Sequence, residues 1–193
     1  GRMAPRSWYI PSGEAVCTTL NGAWKFAFFA DGDISDEINF TDTIDVPSCW
    51  QARGYENPNY TNINYPFPVD PPYVPYENPC GAYLTDFVYK LNADTPKAYL
   101  NFEGVDSCFY VWLNGQYMGY SEVSHSTSEF DISETVREGK NTLAVLVLKW
   151  CEGSYLEDQD KTLHGLFSAK NINFDNIGND IIKFLTGSQD ITK

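Results

Sequence analysis

Residues 107–120, with the sequence SCFYVWLNGQYMGY, decide the fold class of this chain. Apolar and aromatic side chains alternate along the first half with the two-residue period of a β-strand. One face carries Phe109, Val111 and Leu113, and the other carries Tyr110 and Trp112. Asn114 and Gly115 then predict a two-residue turn, because a type I′ turn needs positive φ at both positions. The segment is therefore expected to form a β-hairpin, with residues 116–120 as the returning strand.

Further strand signals lie on both sides of this hairpin. Short apolar or aromatic runs bounded by Gly, Pro and Asn predict strands at residues 23–29, 44–46, 81–91, 98–102 and 142–150. The last of these runs is apolar on both faces, so we expect it to lie inside a sandwich or beneath a covering arm. Short strands with almost no helical period predict an all-β sandwich.

A segment rich in proline and tyrosine, residues 55–79, interrupts the strand pattern and is called the arm below. Proline has no backbone donor and a fixed φ, so the arm cannot be a central strand. Disordered segments are poor in aromatic residues, and the tyrosines therefore favour order. The sequence predicts a stiff, extended arm held against another part of the protein.

The bulk composition restricts the classes of partner and compartment. The chain has 193 residues, which suits one domain or one domain plus an extension. Its net charge of −13 argues against nucleic acid and anionic membrane surfaces as partners. No apolar run approaches the roughly 20 residues of a membrane helix, and the first residues do not have the pattern of a signal peptide. The cysteines lack any CxxC pair, which predicts reduced, mostly buried thiols and a cytoplasmic protein.

Several single residues are of types that often bind ligands, but each is interpreted here by its position in the fold. Trp24, Trp50, Trp112 and Trp150 lie in or beside predicted strands and are expected in the core, whereas Trp8 and the arm tyrosines Tyr60, Tyr65, Tyr73 and Tyr76 are expected to be exposed. His125 and His164 have no metal-ligand spacing and are interpreted as structural or exposed. Asp106 and Asp131 are expected to accept hydrogen bonds from loop backbone.

The segment WCEGSYLEDQD, residues 150–160, leads from the last predicted strand into an acidic loop. Its carboxylates, Glu157, Asp158 and Asp160, could accept hydrogen bonds from sugar hydroxyls or hold a hard cation. Taken alone, the segment also fits a solvated acidic turn. The carboxylates lie too close in sequence to flank a glycosidic bond from both sides.

The order and wording of a series of motifs resemble one family. The motifs are NGAWKF (21–26), VPSCWQ (46–51), YTNINYP (60–66), NPCGAY (78–83), FEGVDS (102–107), WLNG (112–115), GYS (119–121), SEFDIS (128–133) and WCEGSYLEDQD (150–160). Together they look like the amino-terminal sugar-binding domain of the β-galactosidases of glycoside hydrolase family 2. The resemblance covers roughly residues 5–167 and implies a jelly-roll β-sandwich of the galactose-binding-domain type.

The resemblance also implies domain limits and an activity for the parent enzyme. Residues 1–168 are expected to form the sugar-binding domain, and residues 169–193, which match no motif of the family, an extension of unknown structure. In the family, terminal β-D-galactosides are hydrolysed by two glutamates about 5 Å apart on a separate barrel domain, which also binds magnesium. This chain alone is therefore predicted to be inactive.

Three site residues follow from the same resemblance. By motif position, Asn62 and Asp160 are expected to contact galactose hydroxyls, with Ile63 as a packing contact. Asp160 is also expected to ligate a sodium ion whose remaining ligands come from the barrel, so the sodium site is incomplete here. The segment KTLH at 161–164 replaces the Trp-Arg segment of the family, which alters the loop after Asp160.

Three functions remain open at this point. The first is a β-galactosidase sugar-binding domain with galactosides and the catalytic domain of its parent enzyme as partners, in a parent enzyme that is either a monomer or an oligomer. The second is an autonomous carbohydrate-binding module that uses the arm tyrosines. The third is a structural or interaction domain without a ligand.

Overall fold

The computed structural model describes residues 17–34, 37–58, 66–94 and 96–156. The strands in this part are β1 (Gly22–Phe29), β2 (Asp42–Val46), β3 (Cys80–Tyr89), β4 (Tyr99–Phe102), β5 (Cys108–Leu113), β6 (Gln116–Ser121), β7 (Ser128–Asp131) and β8 (Gly139–Leu148). Two short 3-10 helices span Trp50–Arg53 and Glu152–Leu156. No α-helix occurs among the described residues, and the predicted all-β class is confirmed.

The strands form two antiparallel sheets. The larger sheet has six strands in the order β2-β1-β3-β8-β5-β6, and the smaller sheet pairs β4 with β7. The centre of the larger sheet is the β3–β8 pair, whose register runs from Cys80 opposite Leu148 to Tyr89 opposite Gly139. All described pairings are antiparallel, which is consistent with a β-sandwich, while the finer jelly-roll assignment stays a prediction.

The main core lies between the two sheets. On the large sheet it contains the three side chains that the alternation in the hairpin assigned to one face, together with three from β8. All six are buried: Phe109, Val111, Leu113, Leu143, Val145 and Val147. The small sheet contributes Phe102 and Phe130, whose rings lie 4.9 Å and 6.0 Å from the Phe109 ring. Aromatic pairs in this distance range add to the stability gained from burial alone.

The opposite face of the large sheet is also covered. Tyr110, Trp112, Ala144 and Leu146 are buried there, and Ile34, Ile38 and Phe40 from the β1–β2 connection pack against the same cluster. The run at residues 142–150 is apolar on both faces for this reason. The expectation of a strand buried on both sides is confirmed for β8.

The predicted hairpin is present between β5 and β6. Asn114 and Gly115 have φ of 53° and 80°, as a type I′ turn requires. The Asn114 side chain accepts a hydrogen bond from the Thr142 N–H at 3.0 Å and donates to Asn141 Oδ1 at 2.8 Å. The turn is thereby tied to β8.

At Gly81 two aromatic rings lie so close to the backbone that any side chain would force them to move. A Cβ at this position would lie 2.8 Å from the Phe26 ring and 3.1 Å from the Trp50 ring. Phe26 is fully buried, so it has no space into which to move. The glycine lets two aromatic rings pack directly on the backbone of a central strand.

The structure differs from the sequence prediction at several strand ends. β8 begins at Gly139 rather than at residue 142, and it ends at Leu148, before Trp150. The short strand β7 has no counterpart among the predicted strands, because its sequence SEFD lacks a clear apolar pattern. The predicted limits of the domain and of its extension, residues 168 and 169, lie outside the described residues.

Most predictions for single residues hold in the described part of the chain. Trp24, Trp50 and Trp112 are buried, and Tyr73 and Tyr76 are exposed. Trp150 is the exception, because it is only partly buried.

The cysteines, the loop aspartates and His125 also agree with their interpretations. Cys80, Cys108 and Cys151 are buried, whereas Cys17 and Cys49 are exposed. Asp106 and Asp131 accept backbone hydrogen bonds from His125 and Ser133, each at 3.0 Å, and the His125 side chain is largely exposed. None of the helices in the described part of the chain is long and apolar enough to cross a membrane.

Replacement of Val145 by alanine is expected to lower the free energy of unfolding by about 1–3 kcal/mol. The change removes buried methyl groups and leaves a cavity between the two sheets. Urea denaturation followed by tryptophan fluorescence measures the loss. Val88→Ala is the matched control, because Val88 is 73% exposed and Val145 is 5% exposed. Equal effects of the two substitutions would contradict the assignment of the core.

Candidate functional site

The segment that follows β8, residues 149–156, turns sharply and is called the post-β8 segment below. Its 3-10 turn begins after Cys151, whose carbonyl accepts a hydrogen bond from the Ser154 N–H at 2.9 Å. The Ser154 hydroxyl in turn accepts one from the Cys151 N–H at 3.2 Å. Gly153 is required because a Cβ there would lie 2.7 Å from the Glu122 carbonyl oxygen. Residues 157–160, which contain three carboxylates, follow this turn in the sequence.

One side chain of the arm takes the place of a strand partner for Trp150. The Asn78 side chain accepts a hydrogen bond from the Trp150 N–H at 2.9 Å and donates one to the Trp150 carbonyl at 2.8 Å. The Lys149 N–H donates to the Pro79 carbonyl at 2.9 Å. Since Pro79 has no N–H, the Asn78 amide supplies the donor that a regular strand would have offered. The end of the arm is thereby fixed to the post-β8 segment.

The beginning of the arm is held by an ion pair. Glu56 Oε1 pairs with Lys149 Nζ, and both side chains are mostly buried, with 19% and 17% exposure. Glu56 Oε2 accepts hydrogen bonds from Trp50 Nε1 and Gln51 Nε2, each at 3.0 Å. Lys149 Nζ also lies 5.0 Å from the centre of the Trp150 ring, in the range of a cation–π contact.

The charge state of Glu56 follows from these contacts. Partial burial alone would raise the pKa of Glu56, but hydrogen bonds from Lys149, Trp50 and Gln51 hold it below its ordinary value of 4.5. Both oxygens therefore act as acceptors at neutral pH. A mostly buried carboxylate with this many donors is a strong tether, because each donor stabilises the charged form.

Tyr155 holds the middle of the described arm. Its hydroxyl oxygen lies 2.5 Å from the Tyr73 carbonyl oxygen and accepts a hydrogen bond from the Asp70 N–H at 3.2 Å. Phe67 is buried beside it, with its ring 5.5 Å from the Tyr155 ring and 5.0 Å from the Trp150 ring. The described middle of the arm is thus packed through two ring contacts of Phe67 and through the Tyr155 hydroxyl.

These contacts place two stretches of the sequence beside each other. Glu56 and Phe67, both fixed to the post-β8 segment, flank the part of the arm that contains Asn62. Asp160 follows the same segment in the sequence. The tethers therefore attach the described residues before and after the stretch that contains Asn62 to the segment that precedes Asp160 in the sequence.

The predicted site residues Asn62, Ile63 and Asp160 all lie outside the described residues. The same holds for Glu157, Asp158 and His164, and for the expected exposed aromatics Trp8, Tyr60 and Tyr65. Within the described ranges, no group of three or more His, Cys, Asp or Glu side chains could hold a metal ion. Sodium at Asp160 therefore stays a prediction.

Sequence reasoning missed Glu56, Asn78 and Tyr155 as tethers of the arm. Two of them lie within motifs that were already noted, namely NPCGAY and WCEGSYLEDQD. Their partners are far away in sequence, so the chain itself gave no signal of their function. An Asn before a Pro at the start of a strand is the one local hint, because the proline removes a donor that a neighbour must supply.

Comparison with known proteins gives matches to glycosidases. A profile of the family described as glycosyl hydrolases family 2, sugar binding domain, matches residues 17–172. A β-galactosidase of Actinobacillus pleuropneumoniae is 51% identical over 155 residues, which is 78% of this chain and 15% of that protein. A β-galactosidase of Staphylococcus xylosus is 44% identical over 181 residues, covering 84% of this chain and 18% of that protein. The chain thus spans less than a fifth of these relatives.

Solved structures with a similar fold include two β-glucuronidases. The Bifidobacterium dentium enzyme, in complex with coumarin-3-O-glucuronide, aligns with a TM-score of 0.55 and 18% identity over 75% of this chain and 22% of that chain. The Ruminococcus gnavus enzyme aligns with a TM-score of 0.55 and 19% identity, covering 75% of this chain and 23% of that chain. At such low identity, the similarity concerns the fold alone.

Replacement of Tyr155 by phenylalanine is expected to loosen the arm without unfolding the sandwich. The ring contact with Phe67 remains, but the Asp70 N–H loses its acceptor and the Tyr73 carbonyl its hydroxyl partner. The loss should be about 1 kcal/mol and should speed hydrogen exchange of the Asp70 amide about fivefold. Tyr76→Phe is the control, since Tyr76 is 99% exposed. Unchanged exchange at Asp70 in Tyr155→Phe would contradict this function of the hydroxyl.

Replacement of Glu56 by glutamine is expected to give a pH-dependent loss of stability. The lowered pKa of Glu56 means that its charged form stabilises the fold above pH 4.5, and that this stabilisation disappears as the pH falls below that value. The variant should be less stable than the parent chain by about 2 kcal/mol at neutral pH. The difference should shrink in acid, as measured by urea denaturation across the pH range.

The control for this experiment is Asp45→Asn. Asp45 pairs with Arg53 at 2.9 Å, but their side chains are 63% and 45% exposed. Exposed pairs contribute little, so this variant should lose less than about 1 kcal/mol at any pH. A Glu56→Gln effect that is the same at all pH values would show that packing, and not charge, holds the arm.

Proposed function

Because the chain belongs to the sugar-binding domains of family 2 glycosyl hydrolases, we propose that it serves a β-galactosidase and completes one side of its galactose site. The β-galactosidase relatives support the substrate class. The arm supports the location of the site, since its described parts are fixed to the segment that directly precedes residues 157–160 in the sequence. That contact between two distant stretches of sequence is the observation on which the proposal depends.

The chemistry proposed for this site is recognition and not bond cleavage. The Asn62 amide can both donate and accept, and the Asp160 carboxylate can accept from two hydroxyls, so together they can orient a sugar ring. Ile63 would pack beside them. The paired carboxylates of a retaining glycosidase are expected on the catalytic domain of the parent enzyme, which we propose as the partner of this chain.

The tethers explain how binding residues on the arm could be held in position. A binding residue on a free loop loses conformational freedom when it binds, and that loss weakens affinity. Glu56 and Phe67 restrict the arm on both sides of Asn62 before any ligand arrives. Preorganisation by the scaffold is therefore the contribution of this domain that the contacts support.

The isolated chain is expected to bind galactose only with millimolar affinity or weaker. One amide and one carboxylate provide few desolvated contacts, and about 4 kcal/mol of net binding corresponds to a millimolar dissociation constant. Titration with galactose, followed by NMR of the labelled chain, should shift the signals of Asn62 and Asp160. Asn62→Ala and Asp160→Ala should abolish these shifts, whereas Asn101→Ala, at an exposed position of β4, should leave them unchanged.

Other outcomes of the titration favour the two alternative functions. An autonomous carbohydrate-binding module gains some support from Tyr73 and Tyr76, which are 58% and 99% exposed. Shifts among these tyrosines, with micromolar affinity that Tyr76→Ala removes, would favour that module. The absence of any shift at high galactose concentration would favour a structural or interaction domain.

A further inference from the structure

Two cysteines meet beneath the post-β8 segment. Cys108 is the first residue of β5 and pairs with Leu148, and Cys151 lies just beyond the end of that partner strand. The Ser107 N–H donates to the Leu148 carbonyl at 3.1 Å, and this hydrogen bond holds the start of β5 against the end of β8. Both cysteines are 5% exposed, and their thiol groups are hydrogen-bonded to each other.

The environment makes the two thiols unequal. The hydrogen bond from the Cys108 thiol lowers the pKa of Cys151; burial opposes this shift, and the backbone N–H groups of Gly153 and Ser154 near the sulfur add to it. The same thiol–thiol bond, together with burial, raises the pKa of Cys108. The nearby carboxylate of Glu122 opposes ionisation of both thiols. Cys151 is therefore the better nucleophile, and Cys108 stands beside it as a second thiol.

The shape of the turn adds to this arrangement. A Cβ on Gly153 would lie 3.2 Å from the Cys151 sulfur, so the glycine lets the backbone fold closely over that sulfur. Cys80 lies in the same apolar cluster, but burial raises its pKa to about 12. Cys17 and Cys49 are exposed. The chain therefore offers a thiol pair, a buried thiol and exposed thiols for direct comparison.

We propose that Cys108 and Cys151 form an oxidation site at which hydrogen peroxide produces an intramolecular disulfide. The Cys151 thiolate attacks one peroxide oxygen and breaks the O–O bond, and the hydroxide that leaves takes up the thiol proton to form water. The resulting sulfenic acid is attacked by the Cys108 sulfur, which releases a second water and forms the S–S bond. Two thiols lose two electrons and two protons, and one peroxide is reduced to two waters.

The disulfide would join the beginning of β5 to the segment that holds the arm. Trp150 and Tyr155, the arm contacts of that segment, lie on either side of Cys151 in the sequence. The cross-link would join two residues of the same apolar cluster, one opposite the end of β8 and the other three residues beyond that end. The site depends on the thiol pair alone and not on sugar binding.

The sequence allows a direct test, because trypsin separates every cysteine onto its own peptide. The peptides are 7–25, 26–53, 54–90, 98–137 and 150–161. The full chain is treated with hydrogen peroxide, unfolded, blocked with N-ethylmaleimide and digested without reductant. Mass spectrometry should find peptides 98–137 and 150–161 linked, with two hydrogens fewer than their sum. Dithiothreitol should restore the separate peptides.

Variants distinguish this site from general oxidation. Cys80→Ala, which removes a buried thiol outside the pair, should leave the link unchanged. Cys151→Ser should abolish the link. If near-ultraviolet circular dichroism shows that this variant does not fold, Cys108→Ala takes its place and should abolish the link as well. The proposal is overturned if both thiols stay reduced while Cys17 and Cys49 react. It is equally overturned if Cys151 proceeds to sulfinic acid without a link, or if the link forms only in urea.

Discussion

The antiparallel ladder between β3 and β8 is the constraint on which the other features depend. β1 is added to the free side of β3, and β5 is added to the free side of β8, so these two strands define the large sheet. Their register also determines what happens at one end of the sandwich. Cys80 lies opposite Leu148, and residues before Cys80 must therefore meet residues after Leu148. The contact between the arm and the post-β8 segment is a direct consequence of this pairing.

The sequence predicted those parts of the fold in which local pattern and tertiary environment agree. The β5–β6 hairpin is one such part, because alternation and the Asn114-Gly115 turn both act over neighbouring residues. At the start of β8, local pattern and tertiary environment do not agree. Asn141 interrupts the apolar pattern, yet its side chain is fully buried and donates to the carbonyl groups of Arg137 and Gly139. A polar residue that is satisfied in this way cannot be distinguished from a loop residue by pattern alone.

The candidate site was predictable only by resemblance. The resemblance supplied Asn62, Ile63 and Asp160, which lie outside the described residues, while the structure revealed how the adjoining segments are held. Glu56 reaches a partner 93 residues away, and Asn78 reaches one 72 residues away. Such contacts arise from the topology of the sheet, and no local period or motif encodes them. Physical reasoning from sequence can therefore suggest which residues recognise a ligand more easily than which residues hold them in position.

The Asn78 tether has a consequence for how the length of this chain can change. Between Asn78 and Cys80 a single insertion would separate the amide from Trp150 or shift β3 by one residue, which would exchange its buried faces. Insertions and deletions should therefore be excluded from this interval, so that the length of the chain is fixed where the arm is attached.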